Sequence, residues 1–237
     1  MTQRSISWKC SKQAGKIGMV ICIGKILNSD DLAEVCAEIE KLRFVDGRRT
    51  AGWAARLVKD NEQAEGDARL ESVRRRIEER ILDNDVFQIA ARPKALTPVL
   101  ISRYSAGKQY GTHVDDALMQ GMRTDLSFTL FLANPAGYDG GELVIESSAG
   151  EQPFKLEAGS MILYPTTTLH RVEPVSRGMR VAAFGWVRSF IRSAEQREIL
   201  FDLETARRGL FEHEGKTPTF DLLSKCNANL LRMWAED

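Results

Sequence analysis

Along the first third of the chain, apolar residues recur at helical spacing. Leu32, Val35, Cys36, Ile39 and Leu42 form one stripe, preceded by the cap-forming run Asn28-Ser29-Asp30-Asp31 and closed by Asp46-Gly47. That pattern predicts a helix. A second helix is predicted through Leu70, Val73, Ile77 and Ile81, and the intervening Arg74, Arg75, Arg76, Glu78 and Glu79 read as its solvated face. From about Ala95 to Val187 the period shortens. Val99–Ile101, Leu126–Leu132, Leu143–Ile145, Met161–Tyr164 and Val181–Val187 are short β-rich runs, separated by turn signals such as Ser105-Ala106-Gly107, Asn134-Pro135-Ala136-Gly137 and Asp139-Gly140-Gly141. The last zone returns to helix, with Ile199, Leu200 and Leu203 on one side of Ile191–Leu210. Leu223, Cys226, Leu230 and Trp234 form a stripe along Phe220–Trp234.

Strands joined by short turns, with no helices between them, imply an antiparallel sandwich or barrel and exclude an alternating βαβ sheet. The fold class expected is mostly β with flanking helices, an α+β arrangement. Four zones follow: a loose leader over 1–18, a helical and strand flank over 19–94, a strand-rich core over 95–190 and a C-terminal helical region over 191–237. The leader is polar, carries Lys9, Lys12 and Lys16, and lacks the apolar stretch of a secretory signal.

Composition narrows the class further. The 237 residues carry 33 basic and 33 acidic side chains and are 43% hydrophobic, enough for a real core in one medium domain. Zero net charge without a Lys/Arg block argues against nucleic acid or an anionic membrane as the main partner. No apolar run is long enough to span a bilayer. Cys10, Cys22, Cys36 and Cys226 are scattered with no Cys-x-x-Cys pair, which points to reduced thiols in a cytoplasmic protein.

The chemistry centres on two of the three histidines. In His113-Val114-Asp115 the imidazole and the carboxylate are two residues apart, and on a strand such residues share a face. His170 follows 57 residues later. Two imidazoles and one carboxylate on one face of a metal leave positions open, the arrangement that non-haem iron(II) oxygenases use. Arg180 lies ten residues beyond His170, and its guanidinium fork matches a carboxylate, so it would clamp the far end of a dicarboxylate that chelates the metal. With 33 acidic residues a His-x-acid pair is common by chance. The downstream histidine and the arginine make the set specific. Of the remaining candidates, Trp186 shares strand parity with Arg180 and would line the site, whereas Asp116 would point to the opposite face. Arg123 either faces the pocket or is an edge charge, and His213 reads as solvated.

The run Tyr104-Ser105-Ala106-Gly107-Lys108-Gln109-Tyr110-Gly111-Thr112-His113-Val114-Asp115 resembles the first-ligand stretch of prolyl-4-hydroxylase-like oxygenases dependent on iron and 2-oxoglutarate. Asp139-Gly140-Gly141-Glu142-Leu143 is similar to a turn of that superfamily. Asp46-Gly47-Arg48, Val58-Lys59-Asp60-Asn61, Arg123–Ser127 and Tyr164–His170 further resemble the bacterial PKHD-type hydroxylases, the likeness running from about Met19 to the C-terminus. The resemblance implies a double-stranded β-helix (jelly-roll) core with a C-terminal helical region. It implies Fe(2+) held by His113, Asp115 and His170, 2-oxoglutarate clamped by Arg180, and Tyr104 near that cosubstrate. Ascorbate (vitamin C) is implied as the agent that keeps iron reduced. Asp115 is a carboxylate, which disfavours the halogenating subgroup.

The reaction expected is hydroxylation of a C–H bond of a small-molecule or peptide substrate by O2, with 2-oxoglutarate converted to succinate and CO2. The competing readings are a cupin-like sensor that binds iron or 2-oxoglutarate without turnover, and a divalent-metal hydrolase. Arg180 argues against the hydrolase. Loops over Arg48–Gln63 and Ala117–Arg123 suit a substrate lid. A homodimer through the helical flanks is left open, with no support from composition.

Overall fold

Among the described residues every sheet is antiparallel, and hydrogen bonding joins strands far apart in sequence. The structure, a computed structural model, describes residues 19–66, 68–148 and 150–237. The expected leader over 1–18, with Cys10, lies outside them. In chain order the elements are β1 (Ile21–Ile23), α1 (Ser29–Ile39), β2 (Arg43–Asp46), β3 (Lys59–Asp60), β4 (Glu62–Glu65), α2 (Ala68–Leu82), α3 (Asp85–Ala91), β5 (Pro93–Leu96), β6 (Leu100–Ser105) and β7 (Gln109–His113). There follow β8 (Leu118–Met119), β9 (Met122–Arg123), β10 (Leu126–Phe131), β11 (Tyr138–Gly140), β12 (Leu143–Ser147), β13 (Gly150–Phe154), β14 (Met161–Pro165), β15 (His170–Val172) and β16 (Val175–Ser189). Two helices close the chain, α4 (Ala194–Glu214) and α5 (Pro218–Trp234).

The major sheet has nine strands in the order β1-β14-β10-β16-β6-β4-β2, with β5 and β11 also paired to the long β16. The minor sheet runs β13-β12-β15-β7-β3. The two together form the jelly roll that the resemblance implied. One face of the major sheet packs against α1, α2 and α3. Leu126, Phe128 and Leu130 of β10 point there, as do Met161 and Leu163 of β14, Ala183 and Val187 of β16, and Ile101 of β6. They meet Val35, Leu70, Ile77, Ile81 and Phe87 from the helices. Each such Val, Leu, Ile, Phe or Met side chain contributes about 1.5–3 kcal/mol on burial. A second apolar cluster, including Phe131, Tyr138, Leu143, Ile145 and Ile162, lies at the closed end of the cup between the sheets.

The helices start where their caps predict. Asn28 Oδ1 accepts from the backbone N–H groups of Asp30 and Asp31, and Thr217 Oγ1 accepts from Phe220 N. The α1 stripe runs on in sequence to Leu42, but the helix ends at Ile39. The helix therefore stops well before Asp46-Gly47, expected to close it; Arg43–Asp46 pairs with Glu62–Glu65 as a strand, and Leu42 is buried from the turn between. Helix α3 was not anticipated, because its seven residues are too few to show a period.

The C-terminal helices also correct an expectation. The buried face of α4 is Arg197, Leu200, Phe201 and Glu204, while Ile199 is 50% exposed on the other side and Cys226 of α5 is exposed. The charged members of that face are satisfied locally. Arg197 donates to the carbonyls of Ile191 and Arg192, and Glu204 accepts from Arg207, Arg208 and Asn227. Among the described residues no helix is long and apolar enough to cross a membrane.

Candidate metal centre

Strand register, more than sequence spacing, assembles the centre. His113 ends β7 and His170 begins β15, and the two are direct cross-strand partners. Their rings approach to 4.3 Å between centroids. Asp115 sits just beyond the end of β7, and it still reaches both histidines. Oδ1 lies 3.9 Å from His113 Nε2 and Oδ2 lies 3.7 Å from His170 Nε2. One ion with bonds of about 2.1 Å can bridge donors at such separations. One ligand atom from each of the three residues lies within 4.8 Å of the others.

The protonation state suits a cation. Nδ1 of His113 is 2.9 Å from the carbonyl oxygen of Gly111, and Nδ1 of His170 is 3.1 Å from that of Thr168. A carbonyl only accepts, so each Nδ1 carries the ring proton and each Nε2 keeps its lone pair facing Asp115. Burial, then the neighbouring His170, pushes His113 down to about 4, so its imidazole is neutral at pH 7. The His113–Asp115 contact is therefore one of converging donors and not an ion pair. The Ser127 hydroxyl donates 2.7 Å to Asp115 Oδ2 and fixes the carboxylate plane. Tyr110 stacks on His113 at 3.7 Å, and Tyr164 meets His170 edge-on at 5.2 Å. Gly111 is required where it stands, because a Cβ there would lie 2.8 Å from Cβ of Val58.

On the facing sheet, Arg180 and Tyr104 are direct partners between β16 and β6. Arg180 is 2% exposed, its guanidinium lies 5.1 Å from the Tyr104 ring centre and 5.6 Å from that of Phe131, and its Nε has no hydrogen-bond partner. A buried cation without a counter-charge is costly, so the site is built to receive an anion. Both donor sets fit the groups that the resemblance implied: N and O donors for iron, and an orphaned guanidinium for a carboxylate.

These residues line one cavity of about 620 Å³. Trp186 lines it as its parity predicts, together with Ala182 and Phe184 of the same strand. Asp116 departs from expectation and also faces the cavity, because β7 ends at His113 and the strand alternation stops there. Arg123 is an edge charge, bound to Asp125 and Glu236, and His213 is exposed. Thr50, Ala51, Gly52 and Ala55 line the cavity from one expected lid loop, and Leu118, Met119 and Gln120 from the other. Ser127 and Lys59 are among the cavity residues that had not been singled out, and Arg74, expected on a solvated helix face, lines the cavity too. Ser127 shares the polar parity of β10 with Thr129, a signal that reads as solvent-facing until the sheet is known to be covered on both sides.

Residues 99–188 match the 2OG-Fe(II) oxygenase superfamily, and residues 195–236 match the PKHD-type hydroxylase C-terminal domain. A PKHD-type hydroxylase of Synechococcus sp. (strain JA-2-3B'a(2-13)) is 57% identical over 226 residues, covering 92% of this chain and 100% of that relative. Among solved structures, a Pseudomonas putida prolyl-4-hydroxylase is similar with a TM-score of 0.54 at 18% identity, over 73% of this chain and 94% of its own. The non-heme alpha-ketoglutarate-dependent epimerase SnoN from nogalamycin biosynthesis is similar with a TM-score of 0.57 at 17% identity, over 76% and 82%. At that identity the likeness speaks for the fold and leaves the substrate open.

Proposed function

This chain belongs to the PKHD-type hydroxylases of the 2OG-Fe(II) oxygenase superfamily, and from that premise we propose that His113, Asp115 and His170 hold the iron and Arg180 holds 2-oxoglutarate. The enzyme is an iron(II)- and 2-oxoglutarate-dependent dioxygenase. Bound iron, 2-oxoglutarate and O2 together supply the oxidising power to hydroxylate a C–H bond, with 2-oxoglutarate leaving as succinate and CO2.

The chain's own residues bind, orient and shield. Gly111 and Thr168 carbonyls hold the two imidazoles in the tautomer that presents Nε2. Ser127 orients Asp115. The Arg180 guanidinium takes the far carboxylate of 2-oxoglutarate in a dry setting where charge-assisted hydrogen bonds are strong, and Tyr104 flanks it. Tyr110, Tyr164 and Phe184 wall the cavity against water. The observation that carries this reading is the orphaned Arg180 facing a cavity that also holds the three converging donors. The substrate is a small molecule or a peptide. We place the enzyme in the cytoplasm, in keeping with the unbridged thiols of Cys22, Cys36 and Cys226, and ascorbate as its accessory reductant.

Metal analysis together with succinate formation tests the assignment. Asp115→Ala is expected to lose both bound iron and turnover. Arg180→Ala should keep its iron while the 2-oxoglutarate KM rises on the order of a hundredfold, the usual scale for stripping one partner from a buried charged contact. An unchanged KM would remove Arg180 from the cosubstrate site, and iron retained by Asp115→Ala would remove Asp115 from the ligand set.

A further inference from the structure

Lys59 is a buried charged residue of the cavity whose chemistry the reaction above leaves unused. It lies on β3, paired with Tyr110 of β7, and is 4% exposed. Its ammonium donates 3.1 Å to Thr50 Oγ1, the only hydrogen bond Nζ makes among the described residues. The Thr50 hydroxyl is itself committed to Gln63 and the Gly47 carbonyl, so it is anchored in place. The ammonium sits 5.2 Å from the Tyr110 ring centre and 6.0 Å from that of Phe184, and no carboxylate of a described residue pairs with it. Asp115 and Asp46 act on it only at longer range. Two of its N–H groups therefore have no protein acceptor.

A second, independent donor lies on the facing sheet of the same cavity. Phe184 packs edge-on against Trp186 at 5.7 Å, and Trp186 Nε1 is buried with no hydrogen-bond partner. Buried donors are almost always satisfied, so a pair of unsatisfied donors in one cavity marks a place where a ligand supplies the acceptor.

Charge counting gives the ligand's class, and this step rests on the reading of iron and 2-oxoglutarate proposed above. Iron(II) carries two positive charges, offset by Asp115 and the near carboxylate of 2-oxoglutarate. Arg180 is offset by the far carboxylate, and imidazole ligands add no charge. Arg74, which also lines the cavity, is paired with Glu71. One positive charge, that of Lys59, is left inside a low-dielectric cavity. Asp116, the other carboxylate facing the cavity, is exposed and forms no ion pair with Lys59. A single negative charge balances the site, whereas a phosphate dianion would overshoot it.

We propose that Lys59 and Trp186 form the specificity site for the substrate's own carboxylate, so that the enzyme takes a carboxylate-bearing substrate whose apolar body lies against Tyr110, Phe184 and Trp186. Burial pushes the Lys59 amine down only to about 8, so it is still charged at pH 7. The exposed Trp53 (83%) and Leu57 (79%), on the loop that supplies Thr50, belong to the lid range expected from sequence.

Binding, with turnover blocked, tests this. The protein is loaded with Mn(II) in place of iron and saturated with 2-oxoglutarate, then titrated with 3-phenylpropanoate and with its neutral amide, 3-phenylpropanamide. The wild type should bind the carboxylate at least about tenfold more tightly than the amide, the scale of a charged hydrogen bond. Lys59→Met should abolish that preference and leave the Kd for 2-oxoglutarate unchanged within about threefold. Trp186→Phe keeps the wall, removes Nε1 and should weaken the carboxylate several-fold with little effect on the amide; it carries the comparison if Lys59→Met does not fold. A wild type without preference, a Lys59→Met that keeps the preference, or phenethyl phosphate outbinding the carboxylate would each overturn the proposal. So would a large loss of 2-oxoglutarate affinity in Lys59→Met, which would assign Lys59 to the cosubstrate. Failure of the wild type to bind 2-oxoglutarate with Mn(II) would sink the cosubstrate reading itself, a result distinct from the others.

Discussion

The Ser127 hydroxyl and the Asp115 carboxylate meet at 2.7 Å, leaving Oδ1 on the His113 side and Oδ2 on the His170 side. Removing that hydroxyl frees the carboxylate to rotate, so Ser127→Ala is expected to weaken metal binding about 10–100-fold with unchanged circular dichroism, as judged by Fe(II) or Mn(II) titration. Lys59 gives a prediction of the opposite kind. Its pKa falls from 10.5 to about 8 through burial, so between those values the unfolded chain binds more protons than the folded one. Stability contributed by this site therefore rises with pH across that window, and below it the whole cost of burying the ammonium remains. Lys59→Met should raise Tm at pH 7 by roughly 2–4 °C per kcal/mol relieved, with the gain shrinking toward pH 10.5; thermal melts across pH check it. His113, Asp115, His170 and Arg180 were legible in the sequence because their residue types and spacing are rare in combination. Ser127 and Lys59 were not, since a lone serine or lysine is by default solvated and only its surroundings say otherwise.

At the scale of elements, β10 shows why local pattern misleads. Leu126-Ser127-Phe128-Thr129-Leu130 alternates as a half-exposed strand does, yet every residue of it is buried. Its apolar parity meets the helices and its polar parity lines the cup, so the alternation separates core from cavity instead of core from water. The same rule places Arg180, Ala182, Phe184 and Trp186 together on β16. Short strands such as Glu62–Glu65 left no trace in the sequence, because three polar residues and an alanine carry no β signal until a partner pairs with them. Helix α4 was legible as a helix, but the choice of its inner face was not, since Arg197 and Glu204 outrank Ile199 there. Leu200, fully buried on that face, should cost about 2–5 kcal/mol when truncated to alanine, measured by urea denaturation, while Ile199→Ala should stay within about 0.5 kcal/mol.

Across the whole molecule, the C-terminal helices are stitched to the strand core. Phe201 of α4 belongs to the same apolar cluster as the major sheet, Ile191 bridges Ala235, Glu236 N donates to the Phe190 carbonyl, and Arg123 pairs with Glu236. Such connections predict one cooperative unfolding transition. Fluorescence from Trp186 in the cup and from Trp234 on α5, each followed in a variant that keeps only that tryptophan, should report the same urea midpoint; separated midpoints would mean that α5 unfolds independently. The amino-acid sequence by itself determined the order of helical and strand-rich zones, the antiparallel class and the chemical identity of the donor atoms, because these depend on residue type and on neighbours a few positions away. Only the tertiary structure decided that His113 faces His170 across 57 residues, that the polar side of the sheet looks into a cavity, and that Lys59 is buried without a paired carboxylate among the described residues. Register and burial belong to pairs of segments brought together by folding, and no local pattern encodes them.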